Sequence, residues 1–187
     1  MIIPAAPKSI LPLFTDKVIS QIQDSLLSLP WINHAFGRCQ RLIAIKDSGN
    51  YFYPGIHIES GQYINVFPTS ELGNFSFFHI LDPQKIEFNP RTFNKISTNY
   101  ALIFWLNLDS IFTSSTERNT EVIKAQILKA LSRDLYLTSG SITVNNIYEQ
   151  AENIYKGFSV KEIESQFLMQ PYAGFRFEGE MIFNESC

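Results

Sequence analysis

The sequence predicts an α+β fold in which a mostly antiparallel sheet of about five to six strands packs against two main helices. Two stretches repeat apolar residues at the spacing of an amphipathic helix. Several short stretches alternate apolar and polar residues as half-buried strands do, and one stretch is apolar almost throughout. The chain has 187 residues, 45% of them apolar, which is enough for one domain with its own core.

Residues 1–14 are predicted to form an extended arm. Pro4, Pro7 and Pro12 interrupt any helix and remove backbone donors, yet the stretch is too apolar for a solvated tail. The arm should therefore lie on a protein surface, either that of its own chain or that of a neighbouring subunit. Deletion of residues 1–14 is predicted to harm assembly more than folding. Residues 15–187 contain no linker, repeat or low-complexity tract and are interpreted as a single α+β domain.

Two helices account for the amphipathic stretches. The first is predicted to begin near Thr15, a typical N-cap residue, and to end near Leu29 because Pro30 follows. The second runs from about Thr120 to Ser132. The apolar residues predicted to be buried are Val18, Ile19, Ile22, Leu26 and Leu29 on the first helix, and Val122, Ile123, Ile127, Ala130 and Leu131 on the second.

The strands are predicted from apolar runs bounded by turn residues. They are Arg38–Lys46, Tyr51–Ile58, Gln62–Phe67, Asn74–Leu81, Tyr100–Leu108, the short Ser141–Val144, and Phe175–Phe183. The turn residues of Asp47–Asn50 join the first two strands into a hairpin. Because Tyr100–Leu108 is apolar almost throughout, it should be a central strand that is covered on both faces.

Four segments between these elements have weaker patterns. Residues 84–99 suggest a loop with a short strand or helical turn, and Asp109–Thr120 suggests an exposed loop. Asn146–Tyr155 is compatible with a third helix. The Ser-x-x-Glu spacing of Ser159–Glu162 predicts a capping box and a fourth helix that ends near Met169.

The last strand alternates between an apolar and a charged face. Phe175, Phe177, Met181 and Phe183 point one way, and Arg176, Glu178 and Glu180 point the other. The charged face is expected to be solvated surface, or else to make a salt-bridging contact with a partner subunit.

The residue patterns predict neither catalysis nor cofactor binding. His34, His57 and His79 lie on separate predicted elements without metal-ligand spacing, and the sequence contains no phosphate-binding glycine loop and no Gly-x-Ser-x-Gly elbow. Cys39 could in principle pair with His34 or His57 as a nucleophile, but nothing in the spacing joins them. We therefore predict no enzyme activity, no cofactor and no metal site.

Charge and hydropathy disfavour nucleic-acid and membrane partners. The net charge of −3 gives no broad positive field for phosphates. The aromatic strand Asn74–Leu81 is flanked by Glu71 and Asp82, so core packing is favoured over a base-stacking platform. No apolar run is long enough to cross a membrane, and the N-terminus does not resemble a signal peptide. The two cysteines, Cys39 and Cys187, indicate a reducing compartment such as a cytoplasm.

Three stretches resemble a family of proteins found in bacteriophages and prophages of gut anaerobes, including crAss-like phages. They are Gly61–Pro68, Gly73–Gln84 and Phe167–Glu178, and with the order of elements the resemblance spans roughly residues 15–185. That order is similar to the tail-terminator or tail-completion fold, whose subunits form a ring at the head–tail junction. The resemblance implies a structural virion protein of the neck or tail, and it supplies no catalytic residues.

A protein of this kind would be assembled in the host cytoplasm and incorporated into the virion. It would form a homo-oligomeric ring, contact other neck or tail proteins, and touch DNA only passively in a lumen. The residues expected at its interfaces are Ile2, Ile3, Ile10, Leu11, Phe14, Ile111, Phe112, Arg118, Arg176, Glu178 and Glu180. The alternatives are a small enzyme with no recognisable motif and a DNA-binding accessory protein.

Overall fold

The computed structural model describes residues 3–8, 12–46, 49–58, 61–88, 94–113, 119–132 and 140–185. Within them the chain forms three α-helices and nine strands, which confirms the predicted α+β class. The helices are α1 (Thr15–Leu27), α2 (Thr120–Ser132) and α3 (Ala151–Ile154). The strands are β1 (His34–Arg38), β2 (Gln40–Lys46), β3 (Gly49–His57), β4 (Tyr63–Asn65), β5 (Phe75–Glu87), β6 (Asn94–Asn107), β7 (Gly140–Ile142), β8 (Asn146–Tyr148) and β9 (Tyr172–Glu185). Short 3-10 turns lie at Leu108–Ser110, Val160–Glu162 and Ser165–Leu168.

The main sheet has the strand order β1-β5-β6-β9-β7, and β8 also pairs with β9. Among the described strand pairs of this sheet, only β1–β5 is parallel. Strand β6 lies between β5 and β9, and every residue from Tyr100 to Leu106 is buried, which confirms the predicted central strand. The strand predicted to end at Leu81 instead continues through a bulge before Lys85, so most of the ambiguous segment 84–99 is strand.

One face of the main sheet is covered by α1 and α2. The five residues predicted to be buried on the first helix are all buried, and they pack against the alternating apolar residues of β6 and β9. On α2 the prediction is wrong for Val122, which is 44% exposed, because it lies about 100° around the helix from its buried neighbour Ile123. Each large side chain buried here contributes about 1.5–3 kcal/mol to stability.

The opposite face is covered by residues 151–168 and by a second sheet with the order β2-β3-β4. The predicted hairpin is confirmed, since β2 pairs with β3 from Gln40 opposite Gly55 to Lys46 opposite Gly49. The strand predicted as Arg38–Lys46 is in fact divided at Cys39, and its two parts join different sheets.

Three local predictions about helices are wrong. Thr15 is already helical, and the preceding Phe14 occupies the N-cap position with a φ of 50°. Asn146–Tyr155 forms β8 and the short α3, because β8 finds hydrogen-bond partners on β9. Ser159 does not cap a helix, because its hydroxyl accepts the N–H of Phe52 at 3.0 Å, and the chain beyond it forms 3-10 turns.

Candidate functional site

The most deeply buried charged side chain among the described residues belongs to an ion pair on β9. Arg176 is 1% exposed, so the expectation that it lies on a solvated face is wrong. Its Nε donates to Glu178 Oε1 at 2.6 Å, and its Nη1 lies 3.3 Å from the carbonyl oxygens of both Ile154 and Lys156. The guanidinium therefore ties the end of α3 to the sheet, and Glu178 neutralises its charge. This arrangement has the character of a structural anchor.

His79 lies on the same face of the sheet. It is opposite Ala101 on β6, which is in turn opposite Glu178, so the three side chains form one row across the strands. Its ring centroid is 4.8 Å from that of Phe158. Burial, helped by the positive charges of Arg176 and Arg41, lowers the pKa of His79 to about 4. A neutral imidazole with so low a pKa is poorly matched to acid–base catalysis near neutral pH.

Cys39 does not have the environment of a nucleophile. The side chain is 4% exposed, and burial raises the pKa of its thiol to about 12, whereas a reactive cysteine needs a lowered pKa. The two histidines considered as its bases make other contacts. His34 stacks on Phe36, and His57 meets Tyr63 edge to face.

The described residues form neither a metal-binding cluster nor a membrane-spanning helix. Among those residues, no three His, Cys, Asp or Glu side chains lie close enough together to hold a metal ion. The described helices include none that is long and apolar enough to cross a membrane.

The described part of the N-terminal arm, residues 3–8, lies on its own chain. The carbonyl of Ala5 accepts the N–H of Ala35 on β1 at 2.8 Å, and the carbonyl oxygen of Pro4 is 3.1 Å from Nδ1 of His34. Pro7 is buried, and Ile3 packs against the core beneath the second sheet. Of the two surfaces considered for the arm, residues 3–8 therefore use the one that belongs to their own molecule.

The other residues expected at interfaces are dispersed. Phe14 is 44% exposed, with its ring centroid 6.2 Å from that of Phe183, whereas Ile111 and Phe112 are partly buried against the core under α1 and α2. Glu180 is half-buried at the edge of a shallow groove. The residues that lie outside the described part of the chain are Ile2, Ile10, Leu11 and Arg118.

That groove lies at the far end of β5, β6 and β9. Its volume is about 280 Å³, and it is lined by Lys85, Ile86, Glu87, Lys95, Ser97, Glu180 and Ile182. Two lysines face two glutamates, and Lys95 Nζ is 3.9 Å from Glu87 Oε2. Such a balanced lining gives the groove no strong preference for an anion or a cation.

Two strand edges carry exposed apolar side chains that the sequence did not reveal as surface. On β2, Ile43 is 57% exposed and Ile45 is 86% exposed, and at the end of β5, Ile86 is 66% exposed and the following Phe88 is 74% exposed. Apolar residues that cluster in this way mark surfaces for other proteins more often than single ones do. In the sequence, β2 has apolar residues on both faces, a pattern typical of a strand whose two faces are both packed against other elements. Ile43 and Ile45 depart from that pattern because their side chains are exposed.

These edges, rather than a catalytic cluster, are the candidate functional site. No family model matches the chain, and no curated protein compared with it matches either.

Proposed function

We propose that this protein is a structural subunit that acts by binding other protein subunits, and that it belongs to a ring in the neck or tail of a phage particle. The resemblance of Gly61–Pro68, Gly73–Gln84 and Phe167–Glu178 to phage and prophage proteins supports the second part of the proposal. The first part depends on the chain's own surface.

The observation that carries the proposal is the pair of strand edges with exposed apolar residues, Ile43 and Ile45 on β2 and Ile86 and Phe88 at the end of β5. Burying such side chains on association is favourable, by roughly 25 cal/mol for each Å² of apolar surface removed from water. An open strand edge adds backbone donors and acceptors that an incoming strand can satisfy. Together they provide both affinity and orientation for another subunit.

The proposed subunit interface therefore lies on the strand edges and not on the N-terminal arm. Residues 3–8 are occupied by contacts with β1 and with the core of their own chain, so they add little free surface for a neighbour. The neighbours in the particle are further copies of the chain and other neck or tail proteins. With a net charge of −3, a ring of such subunits would let DNA pass through its lumen without gripping the phosphates.

Two measurements test this function. Light scattering coupled to size-exclusion chromatography should show a mass that rises with concentration to a fixed multiple of one subunit. Mass spectrometry and imaging of purified particles should find the chain in a constant number of copies at the neck or tail. A chain that stays monomeric at every concentration and is missing from particles contradicts the proposal.

A further inference from the structure

Residues 154–159 form a short strap over the aromatic core on the second face of the main sheet. Tyr155 and Phe158 of the strap are both buried in this core. The ring of Phe158 meets those of Phe67 and Phe77 edge to face, with centroids 6.4 Å apart in both pairs. The strap therefore shields aromatic side chains from water.

Two arginines tie the backbone of the strap to the two sheets. Nη1 of Arg176, on β9, lies 3.3 Å from the carbonyl oxygens of Ile154 and Lys156. Nε of Arg41, on β2, donates to the carbonyl of Gly157 at 2.8 Å. Three carbonyl groups of the strap are thus held by positive charges that lie beneath and beside it.

His79 of β5 lies against the inner side of the strap. Its ring centroid is 4.8 Å from that of Phe158, and its Cε1 is 3.5 Å from the position that a Cβ on Gly157 would take. Its Nδ1 is buried and has no hydrogen-bond partner within the described residues. While the strap is closed, this nitrogen is therefore kept from water without compensation.

The charged groups around His79 favour its neutral form. Arg176 and Arg41 repel a proton on the imidazole, whereas the carboxylate of Asp82, further along β5, attracts one. Glu178 belongs to the same surroundings, but its Oε1 is engaged by Nε of Arg176 at 2.6 Å. A protonated His79 would therefore stand beside two positive charges in the closed strap.

The remaining titratable groups near this site keep one charge across the range from pH 7 to 5. Burial raises the pKa of the Tyr155 hydroxyl well above its ordinary value and that of the Cys39 thiol to about 12, so both are neutral. Lys156, on the strap, is exposed and positively charged. His79 is thus the group at this site whose charge changes in mild acid.

Opening of the strap should be linked to the protonation of His79. Burial, together with the two arginines, lowers the pKa of His79 from its ordinary 6.5 to about 4. Lifting the strap would hydrate the imidazole and return its pKa towards 6.5. The open form then binds a proton more tightly than the closed form, so the open population grows as the pH falls from about 6.5 to 4. Between pH 7 and pH 5, the ratio of open to closed strap should rise roughly twentyfold.

We propose that protonation of His79 releases the strap, so that mild acid opens the aromatic core beneath it while the main sheet stays folded. The main sheet keeps its cover of α1 and α2 and the pairing of β6 with β9, which do not depend on this side chain. The device belongs to the single chain and does not require subunit binding.

Hydrogen exchange followed by mass spectrometry at pH 7 and pH 5, corrected for the intrinsic chemical rates, tests the proposal. Peptides from residues 151–168 report the strap, and peptides from β6 report global unfolding. The N–H of Ser159 donates to the carbonyl of Phe52 at 2.8 Å and is among the amides that opening should free. In the wild type, protection of the strap should fall roughly twentyfold at pH 5, and protection of β6 should not change.

Two variants without a titrating group, His79→Phe and His79→Gln, should each abolish this loss of protection. Circular dichroism checks their folding, and one of them suffices if the other does not fold. His57→Phe, at an exposed histidine on β3, is the matched control and should respond as the wild type does.

Three results would overturn the proposal. Equal protection of the strap at both pH values would show that protonation does not open it. A parallel loss of protection in β6 would show global unfolding in place of a local opening. An undiminished acid response in a folded His79 variant would assign the effect to another group.

Discussion

Replacing Arg176 by leucine should destabilise the fold severely, because this side chain joins three groups that nothing else in the described structure serves. The substitution removes the 2.6 Å contact with Glu178 and the two 3.3 Å contacts with the carbonyl groups of Ile154 and Lys156. Removing one member of a buried ion pair costs about 3–5 kcal/mol. The Glu178 side chain is 22% exposed and regains some hydration, so we expect the lower end, about 3 kcal/mol.

Urea unfolding followed by circular dichroism and tryptophan fluorescence measures this cost. With a denaturant slope of about 1–3 kcal/mol/M, a loss of about 3 kcal/mol lowers the midpoint by roughly 1–3 M. The double variant Arg176→Leu with Glu178→Leu should be more stable than Arg176→Leu alone, because it leaves no unpaired charge. Arg38→Leu, at an exposed arginine on β1, the edge strand of the same sheet, should change stability by less than about 0.5 kcal/mol. A loss below about 1 kcal/mol for Arg176→Leu would refute the anchor.

Three further predictions concern the stability of the fold. The pKa of His79 is lowered to about 4 in the folded chain, so the imidazole binds a proton more readily once the chain unfolds. The stability that neutral His79 contributes to the fold should therefore be lost as the pH falls from about 6.5 to 4, at a cost of up to about 3 kcal/mol. His79→Phe should flatten this part of the curve of Tm against pH, and an unaltered curve would disprove the assignment. Tyr155→Phe should be neutral or stabilise the fold by about 1 kcal/mol, because the Tyr155 hydroxyl has no hydrogen-bond partner within the described residues. Tyr100→Phe should instead cost about 1 kcal/mol, because the Tyr100 hydroxyl donates to the carbonyl of Thr143 at 2.9 Å. Denaturant midpoints of the two variants that shift in the same direction would argue against this. Deletion of residues 1–8 should lower the Tm and leave the mass of the oligomer unchanged, because these residues contact β1 of their own chain. An arm docked on a neighbouring subunit would give the reverse. A truncated chain that keeps the wild-type Tm but no longer associates would contradict the contacts with β1.

Patterns that depend on one element were predictable from the sequence. The alternation of β9 correctly placed Phe175, Phe177 and Arg176 on opposite faces, and the turn after Lys46 correctly predicted a hairpin. The uninterrupted apolar run predicted the central strand β6. The interpretation of residues 15–187 as one domain stays a prediction.

Features that depend on contacts between distant elements were not predictable. The burial of Arg176 depends on α3 crossing the second face of the sheet, and α3 lies in a segment predicted to be a longer helix. The split at Cys39 leaves no mark in the sequence, because β1 and β2 form one continuous strand-like pattern. Ser159 has the spacing of a helix cap, but its hydroxyl is taken by Phe52 of β3, a competition that local sequence does not contain.

The same reason explains why the strand edges escaped notice. Ile43 and Ile45 look like core residues, and their exposure depends on which face of the second sheet the rest of the chain covers. At the end of β5, Ile86 and Phe88 fall in a segment whose secondary structure the sequence left ambiguous.

The association of purified wild-type chain, followed by light scattering over a wide range of concentrations, tests most directly whether this protein works by binding copies of itself. If exposed apolar strand edges bind further copies of the chain, the mass should grow in whole subunits and stop at one closed species. A single-subunit mass that persists up to the highest concentration reached, in a chain that is folded by circular dichroism, would contradict it.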